Sequence, residues 1–238
     1  MSILSGFIGT ERFQYADVNE FSSDLEPALR YYDFLLIILS RYEETNEGMV
    51  AIHEEERKLT SAKAGITRVT PEQGRLMAES SRLTTLVHLE IESFYMFAKV
   101  FLDNVARFLY VYFGQERGVG LKSHHNLSTH HEKYFEAKGL VIPEGLSKSV
   151  TLLKESICDY RDNEISHELS LRRIRATGWT GSGGARIVGG ITRPRKGDTT
   201  ATSAELPQLM EVINTYIQQV IILIESNRSK SRLRLKET

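Results

Sequence analysis

Apolar residues recur at three- and four-residue intervals along most of this chain, the spacing that predicts amphipathic helices. Leu29, Tyr32, Leu36 and Leu39 follow it in a segment from Pro27 to about Tyr42. Thr70-Pro71-Glu72-Gln73 opens a second helix, with an N-cap hydroxyl, proline in the first turn and glutamine three residues on. Its apolar pattern runs to about Phe113, with a candidate break at Ser80-Ser81, and Gly114, Gly118 and Gly120 stop it. Ser128 reads as the cap of a short helix ending at Gly139. Pro143 opens another, through Leu152, Leu153, Ile157, Tyr160 and Ile165 to about Ile174. Ser203 starts the last helix, with Pro207 in its first turn and Leu209, Val212, Ile213, Tyr216, Val220 and Leu223 facing a core.

The polar stretches between these patterns differ in kind. Glu43 to Glu56 is acidic and reads as a solvated helix end or loop. Thr177 to Thr200 is Gly-rich and carries Arg186, Arg193, Arg195 and Lys196 against Asp198 alone. Such composition cannot hold a helix and predicts a flexible basic insertion, a β-hairpin or a mobile loop, with Ile187-Val188 and Ile191 as strand candidates. Residues 227–238 form a basic tail expected to fray. The expected fold is all-α, a single domain over residues 1–238. It is an up-and-down bundle of about four to six helices, with the Gly/Arg-rich insertion 177–200 before the last one.

Composition narrows the classes. A chain of 238 residues with 41% hydrophobic content can bury a real core. Its net charge of −1 excludes a uniformly basic nucleic-acid glove but not a local basic patch. One cysteine, Cys158, excludes a disulfide framework and a cysteine-based zinc site, and reads as a buried small hydrophobe. The start Met-Ser-Ile-Leu-Ser-Gly lacks a signal-peptide pattern, and the runs Phe34 to Leu39 and Val220 to Ile224 are too short to span a bilayer. The expectation is a cytoplasmic protein.

Chemistry concentrates in Arg161-Asp162-Asn163-Glu164-Ile165-Ser166-His167. Arginine stays protonated and grips phosphate oxygens with a planar fork. Histidine titrates near neutrality and serves as general base or general acid. Together they suit cleavage of a phosphodiester that carries its own 2′-hydroxyl nucleophile, which is RNA. His167 would take the 2′-hydroxyl proton or protonate the leaving 5′-oxygen, and Arg161 would stabilise charge developing at phosphorus. Products would be a 2′,3′-cyclic phosphate and a 5′-hydroxyl. Two other pairs share the spacing, Arg82 to His88 and Arg117 to His124. His88 reads as a core-edge histidine, and the Gly118-Val119-Gly120 connector would hold neither Arg117 nor His124 still. The third pair stands out for its polar neighbours.

Tyr160-Arg161-Asp162-Asn163-Glu164-Ile165-Ser166-His167 resembles the signature of the HEPN superfamily, Arg and a polar residue, then His after four to six intervening positions. The helical bundle with this motif on a late helix is also similar, over roughly residues 25 to 226. The resemblance implies a metal-independent endoribonuclease with no cofactor, its motifs meeting across a homodimer interface, in a toxin or antiviral-defence setting. One histidine does not easily perform both proton transfers, and a two-fold axis supplies a second. One HEPN subgroup has Tyr two residues after the His. Glu168-Leu169 stands there in this chain, so that subgroup's modification chemistry is not expected. The alternative is a catalytically inactive HEPN-like module that binds RNA or protein.

Supporting roles fall to Asp162, Asn163 and Glu164 in the motif, and to Asp103 and Glu92 on the long helix. Glu92, Lys99 and Asp103 share a stripe there. They would orient Arg161 or His167, or form an i,i+4 ladder on a partly exposed face. His124-His125 and His130-His131 read as solvated or helix-capping histidines rather than metal ligands. RNA contacts are expected from Arg172, Arg173, Arg175, Arg186, Arg193, Arg195 and Lys196, with Trp179 as a stacking face. The same loop would otherwise dock an antitoxin or a defence-complex partner. Gly178 to Gly184 lacks the lysine of a phosphate-binding loop.

Overall fold

The computed structural model describes residues 2–61, 69–159, 174–181, 184–193, 202–204 and 206–237, the strands by backbone alone. Among them are six α-helices: α1 (Ile3–Glu11), α2 (Val18–Ser61), α3 (Pro71–Tyr112), α4 (His124–Ala137), α5 (Leu146–Leu153) and α6 (Leu206–Ser226). A π-helical turn, Lys154–Cys158, continues α5, and three strands precede α6: β1 (Ile174–Gly181), β2 (Gly184–Arg193) and β3 (Thr202–Ala204). The all-α bundle with a hairpin ahead of its last helix is therefore observed. Among the described residues no helix is long and apolar enough to cross a membrane.

Several boundaries differ from expectation for local reasons. Helix α2 begins at Val18, before Pro27, because the Asp17 carboxylate accepts from the Asn19 and Glu20 N–H groups at 2.8 and 3.3 Å. Pro27 lies inside the helix. The buried stripe of α2 is Phe21, Leu25, Ala28, Tyr32 and Leu35, so Leu36 faces solvent instead of the core. The Thr70 start of α3 stands as expected, with Gln73 N–H donating to the Thr70 hydroxyl at 3.2 Å and Thr70 N–H to the Gln73 side chain at 2.9 Å. Helix α3 passes Ser80-Ser81 unbroken. Ser123, not Ser128, caps α4, and α6 starts at Leu206 because Ser203 belongs to β3.

The chain divides into two compact units, Met1–Leu36 with Tyr95–His167 and Leu209–Thr238, and Ile37–Phe94 with Glu168–Gln208. In the first, aromatic rings join α2 to α3: Phe21 meets Phe108 at 5.8 Å and Tyr112 at 6.0 Å, and Tyr32 meets Phe101 at 5.8 Å. The basic tail does not fray. Arg228 forks onto the buried Glu11 carboxylate with two 2.6 Å bonds, and the backbone of residues 232–236 is hydrogen-bonded to Tyr112, Gln14 and Ala16. Charge-assisted bidentate pairing of this kind holds a terminus that composition alone leaves loose.

In the second unit, Gly48 lets Leu83 approach α2; a Cβ there would stand 3.3 Å from the Leu83 side chain. The buried Glu90 carboxylate accepts from Thr45 at 3.3 Å and lies 3.6 Å from Arg41, and burial pushes its pKa up. The acidic run Glu43 to Glu56 is neither an end nor a loop; it continues α2, with Thr45 and Met49 turned inward. Strands β1, β2 and β3 form an antiparallel sheet in that order. Ile187, Val188 and Ile191 lie in β2 as expected, but β1 already begins at Ile174, where a helix end was expected.

Candidate functional site

The motif residues Arg161, Asp162, Asn163, Glu164 and His167 lie outside the described residues, as do Arg172, Arg173, Arg195 and Lys196. Arg175 and Trp179 stand on β1, and Arg186 and Arg193 on β2, with Trp179 and Arg186 as register partners. Helix α5 and its π-turn lead toward the motif, and the last described residue before it is Asp159. Single π-turns recur at functional sites. Cys158 ends the π-turn and is buried, as expected.

Next to this element lies a polar cluster in the first unit, built by α3, α4, α5 and α6. Lys99 and Asp103 are four apart on α3, and the ammonium donates to both carboxylate oxygens at 2.6 Å. The same Asp103 carboxylate accepts from the His124 backbone N–H at 2.8 Å. Helix α4 is thus capped twice: by Ser123 from within, and by a side chain 21 residues upstream. A carboxylate at a helix N-terminus is favoured both by the free N–H groups and by the helix dipole.

His124 is 0% exposed. Its Nε2 lies 3.1 Å from the Val150 carbonyl of α5, and its ring meets Tyr216 of α6 edge-on at 5.7 Å. Burial, reinforced by Lys99 and His131, outweighs the Val150 carbonyl and Asp103 and pushes its pKa down to about 4. The imidazole is therefore neutral at physiological pH and donates from Nε2 to Val150, leaving buried Nδ1 without a hydrogen-bond partner. Tyr216 is also sealed in, and burial pushes its phenol well above the ordinary range.

These positions correct two expectations. His124 is neither solvated nor loosely held; it ties α4 to α5. His131 is buried as well, with Nδ1 3.1 Å from the Leu127 carbonyl. The Lys99–Asp103 ladder exists, but its carboxylate is occupied in capping α4. Glu92 lies in the second unit, half-buried. Only a long-range contact reveals the role of His124, although a paired Lys and Asp on an otherwise apolar helix was a signal that something faced them.

The remaining pair is open to solvent. Arg82 is exposed and forks onto Glu79 at 2.6 and 2.9 Å. His88, half-buried at the core edge as expected, lines an open groove with Glu56, Met77, Ser80, Ser81, Thr84 and Thr85. Neither Arg82 nor Arg117 is brought to a histidine by any described hydrogen bond. No protein-family model matches the sequence, and no curated protein or solved structure matches it.

Proposed function

We propose that this protein is a metal-independent endoribonuclease that cleaves RNA by 2′-hydroxyl attack, with Arg161 and His167 as its catalytic residues. The observation that carries the reading is the sequence Arg161-Asp162-Asn163-Glu164-Ile165-Ser166-His167 itself, a fixed cation and a titratable imidazole among polar residues. Elimination supports it. Of the three Arg-to-His pairs, one has its arginine held by Glu79, and another has its histidine buried, neutral and bonded to a backbone carbonyl. The buried, neutral His124 is thereby removed from acting on a phosphodiester.

His167 exchanges the proton and Arg161 meets the charge at phosphorus. Two copies of the motif share the work across a homodimer, so that one imidazole acts as base and the other as acid. Asp162, Asn163 and Glu164 position them. The hairpin arginines and Trp179 hold the RNA, or dock an antitoxin or a defence complex that restrains the activity. The setting this reading fits is a toxin or antiviral-defence effector in the cytoplasm.

The test is cleavage of diverse RNAs in EDTA followed by analysis of the new ends. The expected products carry 2′,3′-cyclic phosphate and 5′-hydroxyl groups, and Arg161→Ala abolishes them. Products with 5′-phosphates, or activity lost on chelation, contradict the mechanism. No cleavage of any RNA, with binding retained, favours an inactive RNA-binding module.

A further inference from the structure

From Arg228 to Lys236 every second residue is a cation: Arg228, Lys230, Arg232, Arg234 and Lys236. In extended chain, alternate side chains share a face, and two residues advance about 6.6 Å. Arg234 and Lys236 flank the one bridged residue, Leu235, and Arg232 lies at the bend that leads into it. Arg232 N–H donates to the Tyr112 carbonyl at 2.8 Å, Ala16 N–H to the Arg234 carbonyl at 2.9 Å, and Lys236 N–H to the Gln14 carbonyl at 2.9 Å. Tyr15 and Leu235 form an antiparallel bridge. Leu233 is buried, while Arg232, Arg234 and Lys236 are exposed. The segment is anchored by its backbone bonds and by buried Leu233, and its three cations and Leu235 are exposed. Arg228 belongs to the anchor, through Glu11.

An aromatic ring completes the surface. Phe13 precedes Gln14, the residue that Lys236 bonds, and is 53% exposed. The Arg12 guanidinium lies over it, 4.8 Å from the ring centroid. A large exposed ring with a cation stacked on it, next to a row of cations, has the two parts that single-stranded nucleic acid needs. A lipid surface would call for a broad set of apolar side chains projecting together, whereas here Phe13 and Leu235 are exposed and Leu233 turns inward. Of the three cations, Arg234 pairs with Glu237 and Arg232 lies near Asp24, so a phosphate would displace or share these carboxylates.

We propose that this cationic segment and Phe13 form a second RNA-binding face, distinct from the hairpin. Arg232, Arg234 and Lys236 hold successive phosphates of an extended strand, and an unpaired base stacks on the Phe13–Arg12 pair. The choice of RNA rests on the endoribonuclease reading; the surface itself does not.

Fluorescence anisotropy tests it, with a short labelled single-stranded RNA and the DNA of the same sequence, which lacks the 2′-hydroxyl and cannot be cleaved this way. The triple variant Arg232→Ser, Arg234→Ser, Lys236→Ser is expected to bind both strands more weakly, its salt slope shallower by about 2. Arg232→Lys with Arg234→Lys keeps the slope. Phe13→Ser alone weakens single-strand binding roughly tenfold and leaves duplex binding unchanged. Unaltered affinity in a triple variant with a native unfolding midpoint, together with unaltered affinity in Phe13→Ser, overturns the proposal. So does wild-type protein that binds phosphatidylserine vesicles but no single strand. Patch-dependent binding in a wild type that never cleaves RNA sinks the catalytic reading and leaves this face standing. Cleavage that ignores the patch variants does the reverse.

Discussion

Two Arg-to-His pairs of nearly equal spacing meet opposite fates in this molecule. Arg82 and His88 sit on the exposed side of α3, the arginine clasped to Glu79 and the histidine at the lip of an open groove. His124 of the second pair is fully buried at the first position of α4, while Arg117 stays exposed in the preceding loop. Equal spacing therefore says nothing about environment. His88 keeps part of its solvent on the side of α3, whereas His124 at the start of α4 is used to cap and cross-link, through Asp103 and Val150.

That contrast can be broken or sharpened by mutation. His124→Ala removes the α4–α5 bond and leaves a cavity, at a cost of about 3 kcal/mol. The thermal midpoint should fall by roughly 6–12 °C. A fall of the same size in His88→Ala would erase the difference between the two sites.

Acid should reach the same place. The folded pKa of His124, about 4, lies below its ordinary value of 6.5, so the unfolded chain binds the proton first. The stability due to neutral His124 is thus fully present above pH 6.5 and is lost as pH falls through 4, roughly 3 kcal/mol in all. Denaturant midpoints measured across that window should converge for wild type and His124→Gln at the acid end. Lys99→Met leaves the Asp103 carboxylate half-buried without its cation and is expected to cost about 2 kcal/mol, discounted for the partial exposure of Asp103. At the far end of the scale, Arg82→Ala should leave the unfolding midpoint where it is, since both partners of its ion pair are exposed to solvent.

Features set by neighbouring residues were legible in the sequence. The Thr70–Gln73 capping box, the stop at Gly114 with its φ of +83°, and the hairpin character of the Gly-rich insertion all depend on nearby chain. The capping signal Asp17-Val18-Asn19-Glu20 was equally local but was overshadowed by Pro27. The register of α2 slipped because Phe34 to Leu39 is apolar on every side, and Phe21 and Leu25 upstream decide which face turns in. The buried histidines and the docked tail depended on distant partners, Asp103 and Val150 for His124, Glu11 for Arg228. For the tail, buried Leu233 and the backbone bonds to Tyr112, Gln14 and Ala16 do the holding, and none of these partners is near it in sequence.

The claim that Arg161 and His167 do the chemistry is tested most directly by the rate of RNA cleavage in EDTA for wild type, His167→Ala and His88→Ala side by side. Loss of a general acid–base residue costs on the order of 100-fold or more. The account predicts that drop in His167→Ala alone, with His88→Ala at the wild-type rate. Wild-type cleavage by His167→Ala would contradict it.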